Sequence, residues 1–184
     1  MKRCTYFLVV AFVVGLFSLT LSAEAEALED YFVKIPGMPG ESKIKGYEDW
    51  IDALSFSVEI DRGLKGGKAD SGTFVLLKYL DKATPQLGQY CTSGQRINEV
   101  RIDLKKAGKD GLNYMVYKLH NVTVASVRAE ARDNKNTTEE VTFRFASITW
   151  TYTPQKADGT GDAAIEKSSK APGKIPQRFV PRRY

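Results

Sequence analysis

The chain has 184 residues, of which 42% are hydrophobic and 27% charged, which is the size and composition of one globular domain. Its formal net charge is +5, but the 18 basic and 18 acidic side chains between Glu26 and Thr153 cancel. The surplus lies at the two ends, so the body of the chain gives no electrostatic reason to bind nucleic acid or another polyanion.

Residues 1–25 have the order of a secretory signal peptide. Lys2 and Arg3 precede an apolar run over residues 6–21, and alternating alanines follow, which predicts cleavage after Ala25. A transmembrane anchor is the alternative, because a run of about 16 residues is only slightly shorter than the roughly 20 that span a bilayer. The alanines favour cleavage, so no stable membrane anchor is expected.

Cleavage would remove Cys4 and leave Cys91 as the only cysteine. The mature chain would then contain no internal disulfide. A single cysteine in this position is either a reactive thiol or a small buried hydrophobic residue. The second is favoured, because free cysteines are among the most frequently buried residues.

Apolar residues alternate with polar ones along most of the body, which predicts about seven antiparallel strands. The first three are expected at residues 31–35, 51–60 and 73–80. The inward parity then changes twice, within residues 122–131 and within residues 141–152, and a bend is expected at His120-Asn121. A phase change inside a strand indicates a β-bulge or sharp bend. The pattern predicts an all-β domain, an antiparallel β-barrel of two curled sheets.

One short helix interrupts this pattern after residue 83. A threonine hydroxyl can cap it, a proline suits its first turn, Gly94 is a left-handed stop, and three apolar side chains at i, i+3 and i+4 form one face. The helix is expected to pack that face against the barrel. The residues with these predicted roles are Thr84, Pro85, Leu87, Tyr90 and Cys91.

The glycine-rich segment around Gly66, Gly67 and Lys68 resembles a phosphate-binding loop, but Ala69 stands where the magnesium-binding Ser or Thr belongs. A flexible loop between two strands is the better interpretation. His120 is the only histidine, which predicts neither a metal site nor a catalytic triad. No catalytic residue, cofactor or metal ligand is therefore predicted, and the chain is not expected to be an enzyme.

Five segments follow one another along the chain: "YFVKIPGMPGESK", "KYLDKATPQL", "IDLKKAG", "YMVYKLHNVTVASV" and "EEVTFRFASITWTYTPQKADG". In this order they resemble the Hcp family of the bacterial type VI secretion system. The resemblance runs from about residue 30 to 159, so the expected organisation is a signal peptide at 1–25, an Hcp-like barrel at 26–159 and a basic disordered tail at 160–184.

The resemblance implies a tube subunit that assembles as stacked hexameric rings, carries small effectors and is itself secreted. The implied partners are other copies of the chain, a spike protein, a contractile sheath and effectors. The helix would lie at the subunit boundary. The loop after residue 61 would reach the neighbouring ring, and its candidate stacking residues are Gly63, Lys65, Gly66, Gly67 and Lys68.

The signal-like segment departs from the family, whose members usually lack one. If it is functional, the chain would enter the periplasm and lose access to a cytoplasmic tube. The alternative is an Hcp-like binding module exported by the general secretory pathway. The expected location is therefore extracellular, or periplasmic if the signal is cleaved.

Overall fold

A computed structural model describes residues 29–60, 72–106, 111–131 and 136–170. These residues form eight strands and one helix. In chain order they are β1 (Glu29–Lys34), β2 (Ile51–Ile60), β3 (Gly72–Tyr79), α1 (Thr84–Ser93), β4 (Arg96–Lys106), β5 (Asn113–Glu130), β6 (Thr138–Phe145), β7 (Ser147–Tyr152) and β8 (Ile165–Lys170).

All strand pairings are antiparallel. The strand order is β4-β1-β2-β3-β6-β5-β7-β8, and an additional β4–β5 pairing closes the first six strands into a ring. The ring is not a regular barrel, because the long strand β5 pairs with β4, β6 and β7. The predicted mostly antiparallel fold with one short helix is confirmed for the described residues.

The predicted changes of parity correspond to real distortions of the strands. In β5, Asn121 adopts a left-handed φ of 52°, and the register against β6 shifts between Val124 and Ser126. The chain also bends between β6 and β7, where the Ala146 N–H donates to the His120 carbonyl at 3.0 Å. Because of these bends, the first part of β5 pairs with β7 and its second part pairs with β6. The two parts can therefore run in different directions within the sheet.

The core lies inside the ring and is built from alternate residues of its strands. Phe74 and Leu76 of β3 and Val141 and Phe143 of β6 are fully buried there. Gly72 is required at the start of β3, because a Cβ at this position would overlap the Phe145 ring. The period-two pattern of the sequence therefore marks the strands that bury one face.

β8 lies inside the segment 160–184, which the sequence predicts to be disordered. Residues 165–170 instead pair with β7 over its full length, from Tyr152↔Ile165 to Ser147↔Lys170. The prediction failed here because β8 buries no apolar stripe, and it is held through the backbone groups of β7 instead.

The predicted signal peptide with Cys4, the candidate stacking residues Gly63–Lys68 and the tail after residue 170 lie outside the described residues. In the described part of the chain, none of the helical structure has the length and apolarity to cross a membrane.

Candidate functional site: the joint between β3 and the helix

The helix α1 begins at Thr84, one residue earlier than predicted. Ala83 is the N-cap residue and makes no side-chain cap hydrogen bond, so Thr84 is the first helical residue and Pro85 the second. The prediction that the Thr84 hydroxyl caps the helix is wrong, because that hydroxyl has other partners. The Asp81 carboxylate instead accepts a hydrogen bond from the Ala83 N–H at 2.9 Å.

The hydroxyl of Thr84 belongs to a buried polar network centred on Lys78. The Lys78 ammonium lies 2.7 Å from the Asp81 carboxylate and 2.8 Å from the Glu139 carboxylate. It also donates to the Thr84 hydroxyl at 3.2 Å and to the Tyr79 carbonyl at 3.0 Å. The Thr84 hydroxyl in turn donates to Glu139 at 2.9 Å. The network therefore joins β3, β6 and the start of the helix.

Burial makes this network costly to disturb. The side chains of Lys78 and Glu139 are both fully buried, and Glu139 Oε1 has no hydrogen-bond partner among the described residues. Removing one member of a buried ion pair leaves an uncompensated charge, which typically costs about 3–5 kcal/mol. The direction of the chain between β3 and α1 is thereby fixed by charge as well as by packing.

The predicted inner face of α1 does contact the core. Leu87 is fully buried, and Tyr90 and Cys91 are partly buried side chains packed against the core cluster. The helix ends at Gly94, which adopts a left-handed φ of 67° and donates its N–H to the Tyr90 carbonyl. Cys91 is free and half-buried, so it packs against the core without being enclosed.

The structure brings the predicted helix residue Thr84 together with three residues that sequence reasoning missed: Lys78, Asp81 and Glu139. A signal for them was present, because Lys78 has the same inward parity as Phe74 and Leu76. A charged residue at an inward position predicts a buried partner of opposite charge.

A second polar cluster lies where β1 and β5 begin and β4 ends. The Glu29 carboxylate accepts hydrogen bonds from Lys106 at 2.7 Å and from the Tyr114 hydroxyl at 2.8 Å. Lys106, followed by Tyr114, holds the pKa of Glu29 below its usual value. Burial, followed by the hydrogen bond to Glu29, raises the pKa of Tyr114. This cluster ties β1, β4 and β5 together.

A third cluster covers the outer side of β1 and β4. The buried Asp103 carboxylate receives two hydrogen bonds from Arg101, one from Asn113 at 2.7 Å and one from the Tyr47 hydroxyl at 3.3 Å. The Tyr47 ring stacks on Phe32 with centroids 4.0 Å apart. Burial, followed by Asp103, raises the pKa of Tyr47 to about 12. These contacts fasten the loop between β1 and β2.

These clusters organise the fold and carry no recognisable reaction centre. His120 Nδ1 lies 3.6 Å from a Glu99 carboxylate oxygen, and both side chains are substantially exposed. No group of three or more His, Cys, Asp or Glu side chains that could hold a metal occurs among the residues that the structure describes. The site with the most distinctive geometry is therefore the joint between β3 and α1.

Comparison with known proteins agrees with this arrangement of strands and helix. Residues 32–152 match the family model described as type VI secretion system effector, Hcp. Protein hcp1 of Pseudomonas aeruginosa is 34% identical over 148 residues, which cover 75% of this chain and 91% of that protein. The chain belongs to the Hcp family.

Two crystal structures of Hcp relatives show the same fold. A type VI secretion system effector from Yersinia pestis is 28% identical, with a TM-score of 0.65 and coverage of 77% of this chain and 99% of that one. Hcp1 from Salmonella typhimurium is 25% identical, with a TM-score of 0.64 and coverage of 77% and 94%. The family consists of secreted tube proteins of type VI secretion, which form rings and tubes.

Proposed function

We propose that this Hcp chain is a structural subunit of a type VI secretion tube. Copies assemble into hexameric rings, the rings stack, and the tube carries small effector proteins and is expelled with them. The family match over residues 32–152, which spans β1 to β7, carries this proposal. The chain works by assembly and delivery, without a catalytic step of its own.

The joint between β3 and α1 suits a subunit boundary. A ring built from one kind of chain repeats a single contact between two different surfaces, so each surface must be held rigidly. The buried Lys78 and Glu139 pair fixes the start of α1, and Leu87 anchors its inner face. We therefore assign the helix residues Thr84, Pro85, Leu87, Tyr90 and Cys91 to the region next to the neighbouring subunit.

The loop residues Gly63, Lys65, Gly66, Gly67 and Lys68 are assigned to contacts between stacked rings. The loop joins β2 to β3, and the last paired residues before it are Ile60 and Gly72. A spike protein at the tube tip and a contractile sheath around it complete the set of proposed partners. Delivery by this apparatus places the chain outside the producing cell.

Secretion from the native host tests this function. Culture medium is compared between cells with and without the contractile sheath, and a separate cytoplasmic enzyme monitors lysis. The chain is expected in the medium only when the sheath is present. Equal amounts in both media would show that another route exports it.

The signal-like segment at residues 1–25 favours a second function, that of an Hcp-like binding module exported by the general secretory pathway. Intact mass of the protein from its host separates the two. A chain that starts at or near Met1 supports the tube subunit. A chain that starts at Glu26 and accumulates in the periplasm supports the exported module.

A further inference from the structure

The apolar inner face of the sheet continues beyond the closed ring. Leu104, Met115, Tyr152 and Ile165 are successive cross-strand partners on β4, β5, β7 and β8. Exposure rises along this row from 6% at Leu104 to 46% at Tyr152 and 55% at Ile165. The row therefore starts in the core and ends on a part of the sheet that none of the described residues covers.

The neighbouring row behaves in the same way. It consists of successive cross-strand partners on β5, β7 and β8, namely Tyr117, Trp150 and Lys167. Their side chains lie on the same face of the sheet as the first row. Tyr117 and Trp150 pack against the core from its edge, whereas Lys167 is exposed. We call the exposed end of the two rows the overhang, formed by Tyr152, Ile165 and Lys167.

The overhang contributes nothing to the core of its own chain. Residues 165–169 of β8 are all exposed, and the strand is joined to β7 by backbone pairing and by a Thr151 to Glu166 hydrogen bond of 3.1 Å. Exposed Tyr and Ile side chains that lie directly opposite each other form the kind of apolar surface that another protein surface covers.

A second group of large exposed apolar side chains lies at the beginning of β2 and the end of β3. Leu54 is 41% exposed and lies in the bulge between Ala53 and Ser55. Tyr79 and Leu80 are 46% and 44% exposed and directly follow Lys78, the partner of Ala53. We call Leu54, Tyr79 and Leu80 the counter-patch. It directly precedes the joint that leads into α1.

The flanking charges of the two surfaces are complementary. Lys167 borders the overhang, and Asp52 borders the counter-patch on β2; neither forms an ion pair with a described residue. Burial raises the pKa of Asp52, a hydrogen bond from Ser42 partly opposes this rise, and the nearby carboxylates of Asp81 and Asp30 add to it. An ammonium group arriving from outside would therefore stabilise the Asp52 carboxylate.

We propose that the overhang of one protomer covers the counter-patch of the next protomer in the same ring, with Lys167 beside Asp52. Both surfaces are exposed at the same time in a single chain and differ from each other, so their union is a heterologous contact, which is the kind of contact that a closed ring repeats. This inference rests on the proposed ring function. It goes further by naming the two surfaces that meet.

A charge-swap experiment on the full chain tests the pairing. Native mass spectrometry over a concentration series gives the protomer concentration at which half of the protein is assembled. Lys167→Asp and Asp52→Lys should each raise this concentration about tenfold, since each places like charges at every contact. The double variant should return to within about threefold of the wild type, because the two reversed charges again attract.

Two further variants define the face involved. Ile165→Asp should abolish ring formation, because the contact would bury a charge. Ser168→Asp adds the same charge to the opposite face of β8 and should assemble like the wild type. Circular dichroism melts of each variant confirm that it is folded, and Ile165→Ser replaces Ile165→Asp if the latter melts early.

Two results would overturn the inference while leaving the ring function intact. One is a double charge variant that assembles no better than the single variants. The other is Ile165→Asp protein that forms rings at wild-type concentrations. A wild-type chain that stays monomeric at every concentration would instead contradict the proposed function itself.

Discussion

β3 and β8 are strands of the same antiparallel sheet, but different forces hold them. β3 pairs on both sides, with β2 and β6, and every second residue from Gly72 to Lys78 is buried. Among the described strands β8 pairs with β7 alone, and its residues 165–169 are all exposed. Hydrophobic burial stabilises the first strand, whereas backbone hydrogen bonds to a neighbouring edge hold the second.

This difference separates residues that build the domain from residues that are free to contact another molecule. Changes at β3 and its joint with α1 should act on folding, because the affected groups are buried. Changes at β8 should leave the domain folded and act on assembly.

Leu87→Asp should lower the free energy of unfolding by several kcal/mol, because it places an unpaired charge at a fully buried position. Chemical denaturation of the purified chain measures this loss. Gln89→Asp, on the exposed face of the same helix, is the matched control and should change stability by less than about 0.5 kcal/mol. An unchanged denaturation midpoint for Leu87→Asp would show that this helix face is not buried.

Lys78→Met should cost about 3–5 kcal/mol, because Glu139 would remain buried without its cation. Adding Glu139→Leu should recover part of this loss, since the double variant buries no unpaired charge. Lys82→Met changes an exposed lysine four residues away and serves as the control. If the two losses simply add in a double-mutant cycle, Lys78 and Glu139 are not coupled.

A chain that ends at Ala164, which lacks β8, should remain folded and lose at most about 2 kcal/mol, because the strand buries no apolar side chain. It should fail to form rings. A chain that ends at Lys170 keeps β8 and should assemble normally. Loss of the folded state in the shorter chain would show that β8 is part of the folding unit.

Glu29 makes a smaller, pH-dependent contribution. Its pKa is lowered in the folded state, so its stabilising effect is present above the ordinary value near 4.5 and is lost as the pH falls through the lowered pKa. Glu29→Gln should therefore be less stable than the wild type at pH 7, with the difference shrinking below about pH 4. Thermal melts at pH 7 and pH 3 measure it. A constant difference would contradict the role assigned to Lys106 and Tyr114.

The same contrast explains how much of the structure the sequence could predict. Alternation identified the strands that bury a face, and the parity changes located the register shift between Val124 and Ser126 and the bend at Ala146. β8 escaped prediction, because pairing with an exposed edge needs no apolar period. At the joint, residue spacing found Leu87, Tyr90 and Cys91, but it assigned Thr84 to the cap, since the Glu139 partner is 55 residues away in sequence.

The most direct test of the tube-subunit account is native mass spectrometry of the full chain across a wide range of protomer concentrations. The account predicts a six-subunit assembly that is lost in Ile165→Asp and retained in Ser168→Asp. A wild-type chain that remains a folded monomer at the highest concentration would contradict it.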